Sequence, residues 1–480
     1  MTRNVVFVVL DTVRKDFFDK YSSRLRERSD IEVQRCYAAS TWTIPSHASM
    51  LTGHLPNEHG IHAYSPSYST ISLEDTFIDD LDEHRSVAVN ANFNLNTRQG
   101  FRDLFDQYNA ISFTRFGFLD GGVDLVSFAA NHDGGSSKYA KFLLKAARER
   151  SLLPSLVNGA AVKLYETGSW FPAVPRYADY GAQNVVAGAK DALSSSNSGR
   201  PVFLYANLME AHMPHRAVAS YDRSLYSTPA SWSSDEVPNW EMNTASDFDQ
   251  YSSYVENLRE LYRASIDYLD RVIAEFLEWT EREIDTETTV IVTSDHGENL
   301  GYDYEDNLIG HAAGGLSEGL LHVPLLVFNP PDEFDLDENQ PLSQLDVGEL
   351  CRAIVDGSSP RLPRTEVPAE RVAVPGRDTL SEELEEFEYW DRAERCVYQD
   401  DMKIVWDSLG RRRKYAVGRS PSREELVDGE DGDEPVVNDF STPLSEYKER
   451  MNERYGTDVV LVDDTVDAGV KERLKNLGYG

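Results

Sequence analysis

The sequence predicts an α/β fold, a mixed, mostly parallel sheet between helices, with a smaller C-terminal α+β subdomain. Three observations carry this. Continuous apolar, β-branched runs recur through the first 350 residues. Stretches with helical periodicity lie between them, and that alternation is the signature of a sheet covered on both faces. After about residue 357 the pattern changes to short strands separated by tight turns, so the expected division is 1–356 and 357–480.

VVFVVL, residues 5–10, reads as a strand buried on both faces and ends at Asp11. Runs of the same kind occupy 86–92, 201–208, 288–294 and 322–328. The clearest helix spans about Asp249 to Glu283, with Val255, Leu258, Tyr262, Ile266, Leu269, Val272, Ile273, Phe276 and Leu277 on one stripe. Further helical pieces fall near 136–150, 155–166 and 179–194. Residues 217–247 are rich in Ser, Asp and Pro without periodicity and read as a long surface loop or lid. Beyond 357, RCVYQ, MKIVW and RKYAV form a hairpin sheet, and DGEDGDE (428–434) reads as a solvated acidic loop. Thr442 and Pro443 open a helix. Another is expected near 465–476, where Val466, Val470 and Leu474 make a narrow stripe.

Lys plus Arg number 47 against 82 Asp plus Glu, a net charge of −35. Such a surface repels nucleic acid and anionic membranes, and neither is an expected partner. Cys36, Cys351 and Cys396 lie far apart without CxxC spacing, which argues against a disulfide framework and against a zinc knuckle. The first apolar run is too short for a secretion signal or a membrane span, so the expected location is cytoplasmic. The spread of acidic charge predicts adaptation to a halophilic cytoplasm.

Chemistry-bearing residues gather where strands end. Asp11 leaves the first strand, with Arg14 following in LDTVRKD. STWTIPSHASMLTG (40–53) runs through a hydroxyl-rich turn into a helix opened by Pro45, and a helix N-terminus favours an anion. It carries Thr43, Ser46 and His47. EAHMPH places His212 and His215 beyond the third run, and SDHGE places Asp295 and His296 beyond the fourth. His311 sits in the glycine-rich GHAAGGLSEGLLHVP, with His322 opening the last run. One parallel sheet brings such strand ends together. Carboxylate, imidazole and hydroxyl together suit a divalent cation: Zn or Mn, or the harder Ca or Mg if more oxygens join.

From VVLDTVR through IPSHASMLTGHLP, HMPH, TSDHGENLG and HVPLLVF to the closing ERLKNLGYG, the chain resembles the sulfatase branch of the alkaline phosphatase superfamily. The resemblance implies a metal site of Asp11, Thr43, Asp295 and His296. It implies Thr43 as nucleophile, with His212 and His311 on the substrate oxyanion, and it associates His47, His215 and Arg14 with substrate more loosely. The sequence departs from the formylglycine sulfatases at three positions. Thr43 replaces the convertible Cys or Ser, His47 replaces an Arg, and Thr12 replaces a second Asp. Three readings follow. The first is a metal-dependent hydrolase of phosphate or sulfate esters, acting on a small-molecule, glycan or lipid ester through a covalent Thr43 intermediate. The second is a phosphoryl or sulfuryl transferase to a sugar or lipid acceptor. The third is a catalytically silent ligand-binding homologue.

The charge balance yields a direct test. In molar salt the Debye length falls to about 3 Å and self-repulsion is screened. The melting temperature is expected to rise steadily with KCl, and full folding and activity in salt-free buffer would overturn the halophilic expectation.

Overall fold

The computed structural model describes residues 3–97, 100–111, 136–148, 151–153, 155–156, 179–195, 199–362, 364–377, 386–418, 423–431, 434–435, 437 and 439–455. The first part contains β1 (Asn4–Leu10), α1 (Lys15–Tyr21), α2 (Ser23–Arg28), β2 (Ile31–Tyr37), α3 (Thr43–Thr52), β3 (Arg85–Asn90) and β4 (Gln107–Ala110). Next come α4 (Ser136–Arg148), α5 (Ala182–Ser194), β5 (Val202–Leu208), α6 (Ser252–Glu283) and β6 (Thr288–Ser294). β7 (His322–Phe328), β8 (Leu342–Ser343) and α7 (Val347–Asp356) follow. The C-terminal part contains β9 (Val367–Arg371), β10 (Glu394–Gln399), β11 (Met402–Asp407), β12 (Arg411–Val417), β13 (Glu424–Asp431) and α8 (Leu444–Tyr455).

The main sheet has eight strands in the order β4-β3-β5-β1-β6-β7-β2-β8. The pairs from β4 to β6 are all parallel, whereas β7 runs antiparallel to both β6 and β2. β1 lies at the centre, and its alternation explains why it reads as continuously apolar. Val5, Phe7 and Val9 enter the core on one face, and Val6, Val8 and Leu10 enter the core on the other. α6 covers the second face with Leu258, Tyr262, Ile266, Leu269, Val272, Ile273 and Phe276, the stripe read from the sequence.

A separate antiparallel sheet, in the order β13-β12-β11-β10-β9, forms the C-terminal part. Its core is shared with the main body: Val367, Ala369, Cys396 and Tyr398 join the cluster that holds Val5 and Phe7. The Glu370 N–H donates to the Ala39 carbonyl at 3.0 Å. All three cysteines are buried and free.

The structure corrects several expectations. α3 begins at Thr43, two residues before Pro45, because the third helical position also needs no intrahelical N–H partner. Residues 428–431 of the acidic run pair with Arg411–Lys414 as the end of β13, so a basic neighbour strand draws the run into the sheet. Within 217–247, Ala217, Val218, Tyr221, Tyr226 and Met242 are buried against the α6 side, and this loop is packed in place. Strands β2, β4, β8, β9 and β13 lack a long apolar run and escape a reading based on one. The helical stretches expected over most of 155–166 and at 465–476, with Val466, Val470 and Leu474, lie outside the described residues. Among the described residues no helix is long and apolar enough to cross a membrane.

Leu269 is 1% exposed in the α6 stripe. Leu269→Ala is expected to cost about 2–5 kcal/mol through lost burial and the cavity left behind. Thermal or denaturant unfolding measures it, and an unchanged midpoint would contradict the packing described.

Candidate active site

The site begins with register. Leu10 pairs with Leu208 on one side and Ser294 on the other, so β1, β5 and β6 end level with one another. Asp11 and Asp295 therefore emerge side by side from adjacent parallel strands. The backbone is locked there by short bonds. The Ser294 hydroxyl donates to the Leu10 carbonyl at 2.5 Å and accepts the Val13 N–H at 2.8 Å. The Asp11 N–H donates to the Leu208 carbonyl at 2.9 Å. Thr12 adopts a left-handed φ of 61°, which turns its N–H onto Asp295 Oδ1 at 3.1 Å. Its hydroxyl points away, to the Ala211 carbonyl at 2.7 Å. Tyr262 of α6 closes the turn, donating to the Thr12 carbonyl at 2.6 Å and accepting the Arg14 N–H at 2.9 Å.

Ligand atoms of Asp11, Asp295 and His296 all lie within 4.8 Å of one another, fully buried. Asp11 Oδ1, Asp295 Oδ2, His296 Nε2 and the Thr43 hydroxyl have no hydrogen-bond partner among the described residues. Burial and the neighbouring Asp295 push the Asp11 carboxyl well above its usual range. Burial opposes the charge on Asp295 too, yet His296 and His47 outweigh it and hold its carboxyl below the ordinary range. Two adjacent buried carboxyls with orphaned oxygens are the environment that a divalent cation satisfies. The residues fit one.

The imidazoles are prearranged. Nδ1 of His296 lies 2.8 Å from the Gly297 carbonyl and Nδ1 of His212 lies 2.5 Å from the Met213 carbonyl. Nδ1 of His311 lies 3.0 Å from Glu298 Oε1. Each contact favours a proton on Nδ1 and a lone pair on Nε2, the tautomer suited to a ligand or a proton acceptor. The His311 ring stands 4.6 Å from His296 and 5.3 Å from His212, centre to centre. His212 Nε2 lies 4.0 Å from Asp11 Oδ1. Burial lowers all three to about 4, so they are neutral near pH 7.

Asp11, Thr43, Asp295, His296, His212 and His311 thus converge, whereas three other residues named from the sequence sit differently. Arg14 is fully buried, and its guanidinium is committed to Asp16 at 2.9 Å, Glu305 at 2.6 Å and the Glu298 carbonyl at 2.9 Å. It ties the turn after β1 to the segment that carries Glu298 and Glu305. His47 is equally buried, with Nδ1 on the Tyr205 hydroxyl and Nε2 3.3 Å from Asp295 Oδ2, behind the carboxylates. His215 packs edge-on against Tyr262 at 5.6 Å, and its backbone N–H is held by the Ser234 hydroxyl.

Sequence reasoning missed two partners. Asn92 donates to Asp11 Oδ2 at 2.5 Å from just beyond β3. Glu298, inside the SDHGE segment, braces His311 and is raised to about 7 by burial. Both follow buried strands, which was the available signal.

The family model described as Sulfatase matches residues 3–349. The chain belongs to the sulfatase family. Solved structures agree with this sulfatase-family chain in fold. A phosphonate monoester hydrolase from Silicibacter pomeroyi aligns with a TM-score of 0.54 at 15% identity, over 97% of this chain and 100% of that one. A phosphonate monoester hydrolase of Agrobacterium radiobacter gives 0.55 at 13% identity, over 86% and 89%. A protein solved with its substrate D-glucosamine-2-N,6-O-disulfate gives 0.52 at 12% identity, over 99% and 97%. No curated protein matches the sequence.

A cation that fits this site stabilises the fold by mass action, by about 2.7 kcal/mol at a hundred times its Kd. Adding Zn or Mn to chelator-treated protein is expected to raise the melting temperature. Asp295→Asn is expected to abolish that increment, and an equal rise in the variant would refute the site.

Proposed function

We propose that the chain is a metal-dependent hydrolase of phosphate or sulfate esters that works through a covalent ester on Thr43. The observation that carries this reading is the unpartnered Thr43 hydroxyl, buried at the N-terminus of α3 beside three orphaned ligand atoms. A hydroxyl without a hydrogen-bond partner in a buried polar site is costly unless a ligand or reaction uses it.

Asp11, Asp295, His296 and Thr43 are the residues that hold the cation. When bound, it lowers the pKa of the Thr43 hydroxyl and neutralises charge on the substrate oxyanion. The Thr43 oxygen attacks phosphorus or sulfur in line, its O–H proton passes to solvent water, and the bond to the leaving oxygen breaks, that oxygen departing as an anion that takes a proton from water. The N-terminal amides of α3 face the equatorial oxygens with the positive end of the helix dipole. His212 and His311, neutral in the free site, gain protons on Nε2 as an anion arrives and then donate to it. Water attacks the central atom of the Thr43 ester, which releases the inorganic anion and restores the hydroxyl. Phosphorus is favoured over sulfur, because a Thr ester lacks the collapse to an aldehyde by which a formylglycine hydrate expels sulfate.

Two structural neighbours are phosphonate monoester hydrolases, which adds phosphonate monoesters to the substrates worth assaying. Turnover of 4-nitrophenyl phosphate, phosphodiester, phosphonate and sulfate esters is expected for at least one class, with a covalent adduct on Thr43 after rapid quench. Thr43→Ala is expected to lose activity by several orders of magnitude. Full activity in that variant would sink the nucleophile assignment. Adduct loss that requires an added sugar or lipid acceptor would make the enzyme a transferase.

A further inference from the structure

We propose that the C-terminal sheet is a clamp on the His311 loop, with Arg371 and Glu394 as positioning residues for the reaction. This rests on the reading of His311 as an oxyanion contact. Residues 310–317 contain three glycines in the left-handed region, Gly310, Gly314 and Gly315, and no regular helix or strand. Such a segment loses much backbone entropy on ordering and has few internal bonds to offset it.

The order comes from the other sheet. Arg371 of β9 is fully buried and donates to the Ala312 carbonyl at 3.3 Å, next in sequence to His311. The same guanidinium reaches the Trp390 carbonyl at 3.1 Å, the Arg392 carbonyl at 3.0 Å and Glu394 Oε2 at 3.3 Å. Glu394 of β10 in turn accepts the Gly315 N–H at 2.8 Å. Gly314 lies flat against the pair: a Cβ there would stand 3.2 Å from the Arg371 guanidinium carbon. β11 repeats the motif, with Lys403 donating to the Leu316 carbonyl at 2.7 Å and to Glu318 at 3.1 Å. Tyr398 donates to the same Glu318 oxygen at 2.6 Å.

Three residues of the loop, 312, 315 and 316, and Glu318 just after it are therefore held by side chains from beyond residue 349, where the family match ends. Glu298 restrains the His311 ring from the catalytic side, and Arg371 with Glu394 restrains its backbone from the C-terminal side. Buried ion pairs of this kind contribute more to a defined geometry than to net stability. A planar fork with four acceptors is a role that lysine's single ammonium does not reproduce.

The test is a double-mutant cycle on the full-length chain, using the 4-nitrophenyl ester that the wild type turns over. Arg371→Lys is expected to lower kcat/KM by about tenfold or more, with bound metal unchanged. In a His311→Ala background the same substitution is expected to change it by less than about twofold. Amide exchange across residues 308–321 is expected to accelerate in Arg371→Lys. Equal losses in both backgrounds, or no loss in either, would overturn the clamp. If Arg371→Lys does not fold, Glu394→Gln goes through the same cycle, because it keeps an acceptor for Gly315 while removing the charge. A Thr43→Ala variant that keeps activity marks failure of the site reading itself. A Thr43-dependent enzyme without Arg371–His311 coupling sinks only the clamp.

Discussion

Two buried carboxyls, Asp11 and Asp295, stand on neighbouring parallel strands, and much of the structure serves to keep them there. Burial, and then repulsion from Asp295, drives Asp11 toward its protonated form, whereas His296 and His47 keep Asp295 charged. The arrangement is stable only because adjacent groups share the load. Asn92 donates to Asp11 Oδ2 and the Thr12 amide to Asp295 Oδ1, His47 Nε2 stands 3.3 Å from Asp295 Oδ2, and Asp11 Oδ1 has no hydrogen-bond partner among the described residues. The Thr43 side chain lies close to the Asp11 carboxyl. A buried carboxyl pair of this kind is the environment that a divalent cation would satisfy.

That core of the site was legible in the sequence because parallel strands place their C-terminal ends on one edge. Asp11, His212, Asp295 and His296 each follow a continuously apolar run, and apolar runs are the strongest strand signal. The surrounding contacts were hidden for a physical reason. Asn92 and Glu298 bond across distances of 81 and 13 residues that no local pattern encodes. Arg14, two residues beyond Thr12, reads in the sequence as a cation available to an anion. Only tertiary packing shows Asp16 and Glu305 closing on it. Strands β2, β4 and β8 were missed for the opposite reason: β4 and β8 are only four and two residues long, and β2 is half-buried and compositionally mixed.

His47 shows how a motif residue changes work when its charge is not permanent. An arginine there would bring a fixed positive charge and five donors. The imidazole instead bridges the Tyr205 hydroxyl and the Asp295 carboxylate inside a shell of Phe101 and Tyr205 rings. The smaller side chain leaves room for those rings, so the wall behind the carboxylates is aromatic.

Tyr262 ties the longest helix to the turn that carries Asp11, and this sets limits on how the chain can vary. Inserting one residue in α6 ahead of Tyr262 rotates the side chains before it relative to those after it by about 100°. Either the phenol leaves the Thr12 carbonyl or the N-terminal half of α6 loses its buried face. Single-residue insertions and deletions are therefore barred between Ser252 and Tyr262. Beyond Thr280 the helix end is mostly exposed, and length changes there leave both the turn and the stripe undisturbed.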